Sequence, residues 1–200
     1  MAQLLREYVD LKYDKNLIKE AREKGLPILV RGILQRADAV NQNKRIYPRS
    51  ILEREVNNYQ KAVSEGRATG ELDHPDSSIV SLERVSHVIR EIGWNNDEVV
   101  GVVEILNTPK GKIAQDLMEA GVRLGISSRC IGETVKTNEG YDEVDESLLL
   151  VAFDLVSEPS TQNAWLHENK HIDVLDIRKL VPKIDRVNRV VNEILKGYDK

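Results

Sequence analysis

Apolar and polar positions alternate with different periods along the 200-residue chain, and the changes of period mark its elements. Residues 1 to 25 are charged and mildly helical, with Leu17, Ile18 and Ala21 at helical spacing before Gly25 and Pro27 interrupt the pattern; they read as an N-terminal arm. Pro27 to Leu34 carries Ile28, Val30 and Ile33, which predicts a strand, and the polar stretch Asn41 to Arg45 follows as a loop. Pro48 suits a first helical turn. Ile51, Leu52, Val56, Tyr59 and Val63 then recur every three or four residues up to Gly66, the signature of an amphipathic helix that packs one face.

The next segments change to strand period. Arg84 to Trp94 and Glu98 to Leu106 form a hairpin pattern around the turn residues Asn95-Asn96-Asp97. Thr108-Pro109 combines a helix cap with a proline at the first helical position, and Ile113, Ala114, Leu117 and Met118 make a stripe that stops before Gly121. Strands resume over Leu124 to Ile131 and between Glu146 and Leu155, separated by the turn-rich Thr137 to Tyr141. Beyond Pro159, a near-heptad stripe runs through Val174, Ile177, Val181, Ile184, Val187, Val191 and Ile194, interrupted by Pro182. It suits either a helix docked on the core or an association helix. The expected organisation is an arm over 1–25, a body over 26–165 and a helical tail over 166–200. By periodicity alone the body is α+β or a β-barrel with helices.

Composition narrows the classes of function. The length is enough to bury one core without disulfides or metal. The formal charge of -4 and the acidic pI near 5.7 argue against a dominant surface for nucleic acid. Cys130 is the sole cysteine, so no intramolecular disulfide forms, which suits a reducing compartment or a particle assembled in cytoplasm. The N-terminal residues lack a signal-peptide core, and no apolar run approaches the roughly 20 residues of a membrane span. Neither nucleic acid nor membrane is an expected partner.

Four histidines limit the search for a general base: His74, His87, His167 and His171. His74 ends a strand-like segment in a proline-fixed turn, where a scaffold can hold a catalytic group. His87 shares a strand face with Val85 and Ile89 and reads as structural; His167 and His171 read as surface residues. A hydroxyl nucleophile needs such a base within reach and a third group to fix the base's tautomer. Ser127 and Ser128 lie inside a strand otherwise suited to burial, so they are either a nucleophile with its neighbour or a bulge bonded to backbone. Asp154 follows the apolar run Leu148 to Phe153, where an isolated acid needs a partner, or it belongs to a turn before Pro159. Two other enzyme chemistries compete: a cysteine peptidase using Cys130, and a metal hydrolase using Asp73, His74 and His87, which lacks the usual helical ligand spacing.

Four blocks in order carry a resemblance: Asn41-Gln42-Asn43-Lys44-Arg45-Ile46-Tyr47-Pro48, Gly70-Glu71-Leu72-Asp73-His74-Pro75, Gly125-Ile126-Ser127-Ser128-Arg129, and Asp154-Leu155-Val156 leading to Pro159-Ser160. Over roughly Pro27 to Trp165 the chain resembles the prohead core proteases of tailed phages, especially the T-even type. The resemblance implies His74 as base, Ser127 as nucleophile, Asp154 as the orienting acid and Ser128 in support. It also implies the fold of the herpesvirus assemblins, a small, mostly antiparallel β-barrel surrounded by helices. Backbone N–H groups near Ser128 to Cys130 would stabilise the oxyanion. The family usually has glycine where this chain has Cys130, a departure that bears on the backbone there.

The implied activity is a serine endopeptidase, free of metal or organic cofactor, inside the assembling prohead in the host cytoplasm. Its substrates would be scaffold or core proteins and the major capsid protein, cut after a glutamate that has an aliphatic residue two positions before it. A glutamate pocket calls for a cation, and Arg129, Arg45 and Lys44 are candidates, although Arg129 equally suits a structural or oxyanion role. Leu5-Arg6-Glu7, Ile18-Lys19-Glu20 and Leu166-His167-Glu168 fit the same pattern as self-cleavage sites, with self-association an accompanying expectation. From a different class, the chain would be a non-catalytic prohead assembly module whose C-terminal stripe is a partner helix.

Overall fold

A computed structural model describes residues 3–10 and 13–157. Strand β1 (Gln3–Asp10) precedes helix α1 (Lys15–Glu23), strand β2 (Ile28–Arg36) and the short β3 (Arg45–Ile46). Helix α2 (Arg49–Ser64) leads to β4 (Thr69–Glu71), a 3-10 turn (Leu82–Arg84) and the hairpin β5 (Val85–Asn95) and β6 (Glu98–Ile105). Helix α3 (Pro109–Glu119) is followed by β7 (Gly125–Gly132), β8 (Thr134–Lys136), β9 (Asp142–Val144) and β10 (Leu149–Val156). The C-terminal stripe, His167 and His171 lie outside the described residues.

Local signals produced their elements. The two-residue turn of the β5–β6 hairpin joins Asn95 to its partner Glu98, with Asn96 at φ 51, a left-handed conformation that asparagine tolerates. Thr108 caps α3 by accepting from the Gly111 N–H at 3.0 Å, and Pro109 opens the helix. Gly121 and Gly66, at φ 82 and 68, follow the ends of α3 and α2. Helix α2 starts one residue later than Pro48 suggests, with the Asp38 carboxylate accepting from Arg49 N at 2.9 Å.

The segment expected to be an arm is different. β1 pairs antiparallel with β7 from Gln3 opposite Gly132 to Asp10 opposite Gly125. Leu5 is fully buried, Val9 packs on the core, and Ile18 of α1 is buried too. The physical reason is that β1 has strand period, with Leu5, Glu7 and Val9 on one face. Glu7 disguises it: its buried carboxylate accepts from Asn43 Nδ2 at 2.9 Å, Arg45 at 3.0 Å and the Tyr47 hydroxyl at 3.0 Å.

The fold is α+β, and its sheets are mostly antiparallel. One has the order β1-β7-β10, a second β2-β6-β5-β4, and a small third β3-β9-β8, in which β3 and β9 run parallel. Among the described residues a parallel bridge, Leu72 to Leu155, joins the first two. Closing them into a barrel requires β1 to pair with β2, and among the described residues that ladder is not formed. The expected closed barrel is therefore corrected to separate sheets wrapped around a shared core that includes Leu34, Leu52, Val56, Ile89, Ile126 and Phe153. Helix α2 covers that core, with the Tyr59 ring edge-on to Phe153 at 5.5 Å.

Candidate active site

β7 is the middle strand of its sheet, so its side chains have neighbours on both sides. Ser127 lies opposite Asp154 of β10, and directly paired residues share a sheet face. The two-residue period then puts Ser127 and Arg129 on one face and Ser128 and Cys130 on the other. His74 reaches Ser127 and Asp154 from the end of β4. Leu72 bridges to Leu155, Asp73 N donates to Leu155 O at 2.8 Å, and Asp73 turns the chain at φ 66. β10 thus holds both Asp154 and the backbone that delivers the imidazole.

His74 Nε2 is 2.6 Å from Ser127 Oγ, and Nδ1 is 3.0 Å from Asp154 Oδ2. An ionised carboxylate only accepts, so Nδ1 carries the proton and Nε2 is free to accept the serine's. Ser127 is 2% exposed and Asp154 fully buried, whereas the His74 side chain is 17% exposed and forms the rim. The arrangement can deprotonate a hydroxyl at the edge of solvent.

Asp154 is further held. Oδ1 accepts from Glu71 N at 3.0 Å and from an Arg129 terminal nitrogen at 3.1 Å, while Arg129 Nε makes an ion-pair contact of 3.0 Å with Oδ2, off the hydrogen-bond angle. Arg129 is fully buried and also meets Glu71 Oε1 at 3.3 Å and Ser77 O at 2.8 Å. This placement encloses the Arg129 guanidinium between Asp154, Glu71 and the backbone of Ser77.

The other candidates stand apart. Arg45 pairs with Glu7, which lies opposite Ser128, so its guanidinium is on the face away from Ser127. Lys44 is exposed in a left-handed turn at φ 57. Ser128 Oγ accepts from Gln35 Nε2 at 2.9 Å on that far face. Ser128 to Cys130 are paired to both β1 and β10, so their N–H groups lie in the sheet and point at neighbouring strands.

The geometry favours neither competing chemistry. Cys130 is fully buried on the face opposite His74, and burial pushes its thiol up to about 12, so no thiolate is presented. His87 is fully buried, with Nε2 donating to Phe153 O at 2.9 Å and Nδ1 2.9 Å from Ser86 Oγ. With both ring nitrogens engaged, His87 is not a metal ligand beside Asp73 and His74. Burial lowers its pKa to about 4, so it stays neutral at physiological pH.

Glu71 and Arg84 escaped the sequence reading. Glu71 is fully buried; Oε1 accepts from Ser81 N at 2.8 Å, and Oε2 lies 3.1 Å from Arg84 Nε. A partial signal existed: Arg129 and Asp154 both sit in apolar strands, where a buried charge needs partners. Gly70 was a second. A Cβ there would fall 1.9 Å from Phe153 O and 2.4 Å from His87 Nε2, so only glycine lets β4 approach β10 this closely.

Residues 10–174 match the family model of the prohead core protein serine proteases. The chain is 38% identical over 144 residues to the prohead core protein protease of Enterobacteria phage T4, spanning 70% of this chain and 68% of that protein. The solved structure of the bacteriophage T4 capsid assembly protease superposes with a TM-score of 0.68 at 29% identity, covering 79% of this chain and 99% of the other. The chain belongs to the family of prohead core protein serine proteases.

Proposed function

We propose that the chain is a head-maturation serine endopeptidase in which Ser127 is the nucleophile, His74 the general base and Asp154 the acid that orients it. One observation carries the reading: a single imidazole lies 2.6 Å from a hydroxyl and 3.0 Å from a buried carboxylate. Ser127 Oγ attacks the scissile carbonyl as its proton passes to His74 Nε2, and the Asp154 carboxylate stabilises the resulting imidazolium without taking the proton. His74 then protonates the leaving amine, and water, deprotonated by the same nitrogen, releases the acyl group from Ser127.

Family membership and the relatives' names support phage head proteins as substrates, met inside the assembling prohead; scaffold or core proteins and the major capsid protein, within the host cytoplasm, are the finer reading proposed here. Cleavage after glutamate and self-cleavage complete the proposal. Of the two self-cleavage stretches within the described residues, Leu5-Arg6-Glu7 is the less accessible, because Glu7 is buried in a strand paired with β7 along its whole length. Glu20 is exposed on α1, which must open locally to be cut, and Leu166-His167-Glu168 lies outside the described residues.

The test is incubation of a glutamate-containing prohead scaffold protein with the wild-type chain, Ser127→Ala and Cys130→Ala, followed by mass analysis. New C-terminal glutamates are expected with wild type and Cys130→Ala and not with Ser127→Ala. Cleavage by Ser127→Ala, or its loss in folded Cys130→Ala, contradicts the assignment. No cleavage by any of the three would favour the non-catalytic assembly module.

A further inference from the structure

We propose that Arg129 and Glu71 are positioning residues for the reaction, forming a buried clamp that holds Asp154 against His74 and fastens the segment downstream of His74 to the same point. The inference rests on reading Ser127, His74 and Asp154 as the reacting groups.

Three fully buried charges meet behind the imidazole: Asp154, Arg129 and Glu71. A buried carboxylate needs partners, and one left free to turn would not hold the histidine in a single orientation. Arg129 approaches both oxygens of Asp154, at 3.1 Å and 3.0 Å, which restrains the carboxylate from rotating. Each oxygen keeps one further duty, Oδ1 to Glu71 N and Oδ2 to His74.

The other side of the guanidinium reaches forward along the chain from His74. Arg129 donates to Ser77 O at 2.8 Å, and the Glu71 carboxylate accepts from Ser81 N at 2.8 Å. The segment that carries His74 is thereby tied upstream through the Leu72–Leu155 bridge and downstream through Arg129 and Glu71. Aligning the imidazole and aligning its carboxylate become one structural event. Charges alternate outward from Asp154 through Arg129 and Glu71 to Arg84, whose side chain is 41% exposed, so the formal charge of the four sums to zero. A buried ion pair adds little net stability compared with apolar packing, which favours orientation as its use.

Several charged groups bear on the His74 proton. Asp154 comes from β10, Arg129 from β7, Glu71 from β4, and Asp73 and Asp76 from the loop itself. Arg6 of β1 donates to Pro75 O at 2.6 Å and to Asp76 Oδ1 at 3.1 Å, and Arg84 lies beyond Glu71. Tyr59 and His87 are neutral neighbours of Asp154.

The experiment measures kcat and KM against pH for the full chain, Glu71→Gln, Arg129→Lys and Glu55→Gln, using a glutamate-containing scaffold peptide and checking folding by circular dichroism. Glu55 is a buried carboxylate of α2 that accepts from Leu150 N at 2.9 Å, so its variant controls for lost stability. Glu71→Gln removes negative charge near the imidazole, so the acid limb of kcat/KM moves to lower pH, and kcat falls about tenfold to hundredfold with KM nearly unchanged. Arg129→Lys keeps the charge and loses the two-point grip, so kcat falls similarly and decides the matter if Glu71→Gln does not fold. Glu55→Gln lowers the melting temperature without moving the acid limb. Wild-type kcat and acid limb in folded Glu71→Gln or Arg129→Lys, or equal shifts in Glu55→Gln, overturn the clamp. Retained cleavage by Ser127→Ala instead overturns the reading of the triad beneath it.

Discussion

Ser127 and Asp154 face each other across the β7–β10 ladder, while the imidazole between them is delivered from β4. The sheet itself sets the distance between nucleophile and acid, so the site's accuracy depends on how closely β4 can approach β10. Gly70 controls that approach.

Gly70→Ala is therefore expected to damage both stability and activity. The added methyl would meet a backbone carbonyl of β10 and the His87 ring, neither of which can swing away. Overpacking of this kind costs about 1 to 3 kcal/mol or more, and the displaced strand carries Asp154. Gly93→Ala is the matched control, since a Cβ there has nothing within 4 Å. Urea unfolding of the two variants beside peptide cleavage checks the contrast.

His87 predicts a stability loss in acid. Its folded pKa, about 4, lies below its unfolded value of 6.5, so the unfolded chain binds more protons between the two. The contribution is complete above pH 6.5 and is lost as pH falls toward 4, on the order of 3 kcal/mol. Glu7, raised by burial, acts with the opposite sign, so the comparison must isolate the histidine. Melting temperature against pH for wild type and His87→Gln does so: the slope between pH 6.5 and 4 should be shallower in the variant.

Cys130 should be inert in the folded chain. Its thiol is fully buried and pushed up to about 12, so iodoacetamide at pH 8 labels it only after denaturation. Peptide mass mapping with and without urea reads this directly. Cleavage activity should survive alkylation conditions that leave the fold intact.

Arg45→Gln separates a pocket residue from a structural one. Because Arg45 satisfies the buried Glu7, its removal is expected to cost about 1 to 3 kcal/mol while the preference for the residue cleaved stays the same. A changed preference at unchanged stability would put Arg45 in the substrate pocket after all.

The legible parts of this molecule were local or signalled by strings of residues. The β5–β6 hairpin and α3 announce themselves through Asn95-Asn96-Asp97 and Thr108-Pro109, where neighbouring residues alone decide the backbone. His74, Ser127 and Asp154 were nameable because ordered blocks carry them, and the fold brings the three together. β1 was hidden because the partners that make Glu7 tolerable inside, Asn43, Arg45 and Tyr47, lie some forty residues away. Arg129 could not be assigned for the same reason: its partners Glu71 and Asp154 become visible only once β4, β7 and β10 are paired. β8 and β9 are three residues each and largely charged or polar, too short to establish a period.

The most direct test is covalent: treat the native chain with a peptidyl phosphonate specific for activated serine, then map the modified residue by tandem mass spectrometry. Labelling of Ser127 that disappears in folded His74→Ala is the predicted result. Labelling at another residue, or at Ser127 with undiminished rate when His74 is absent, would contradict it.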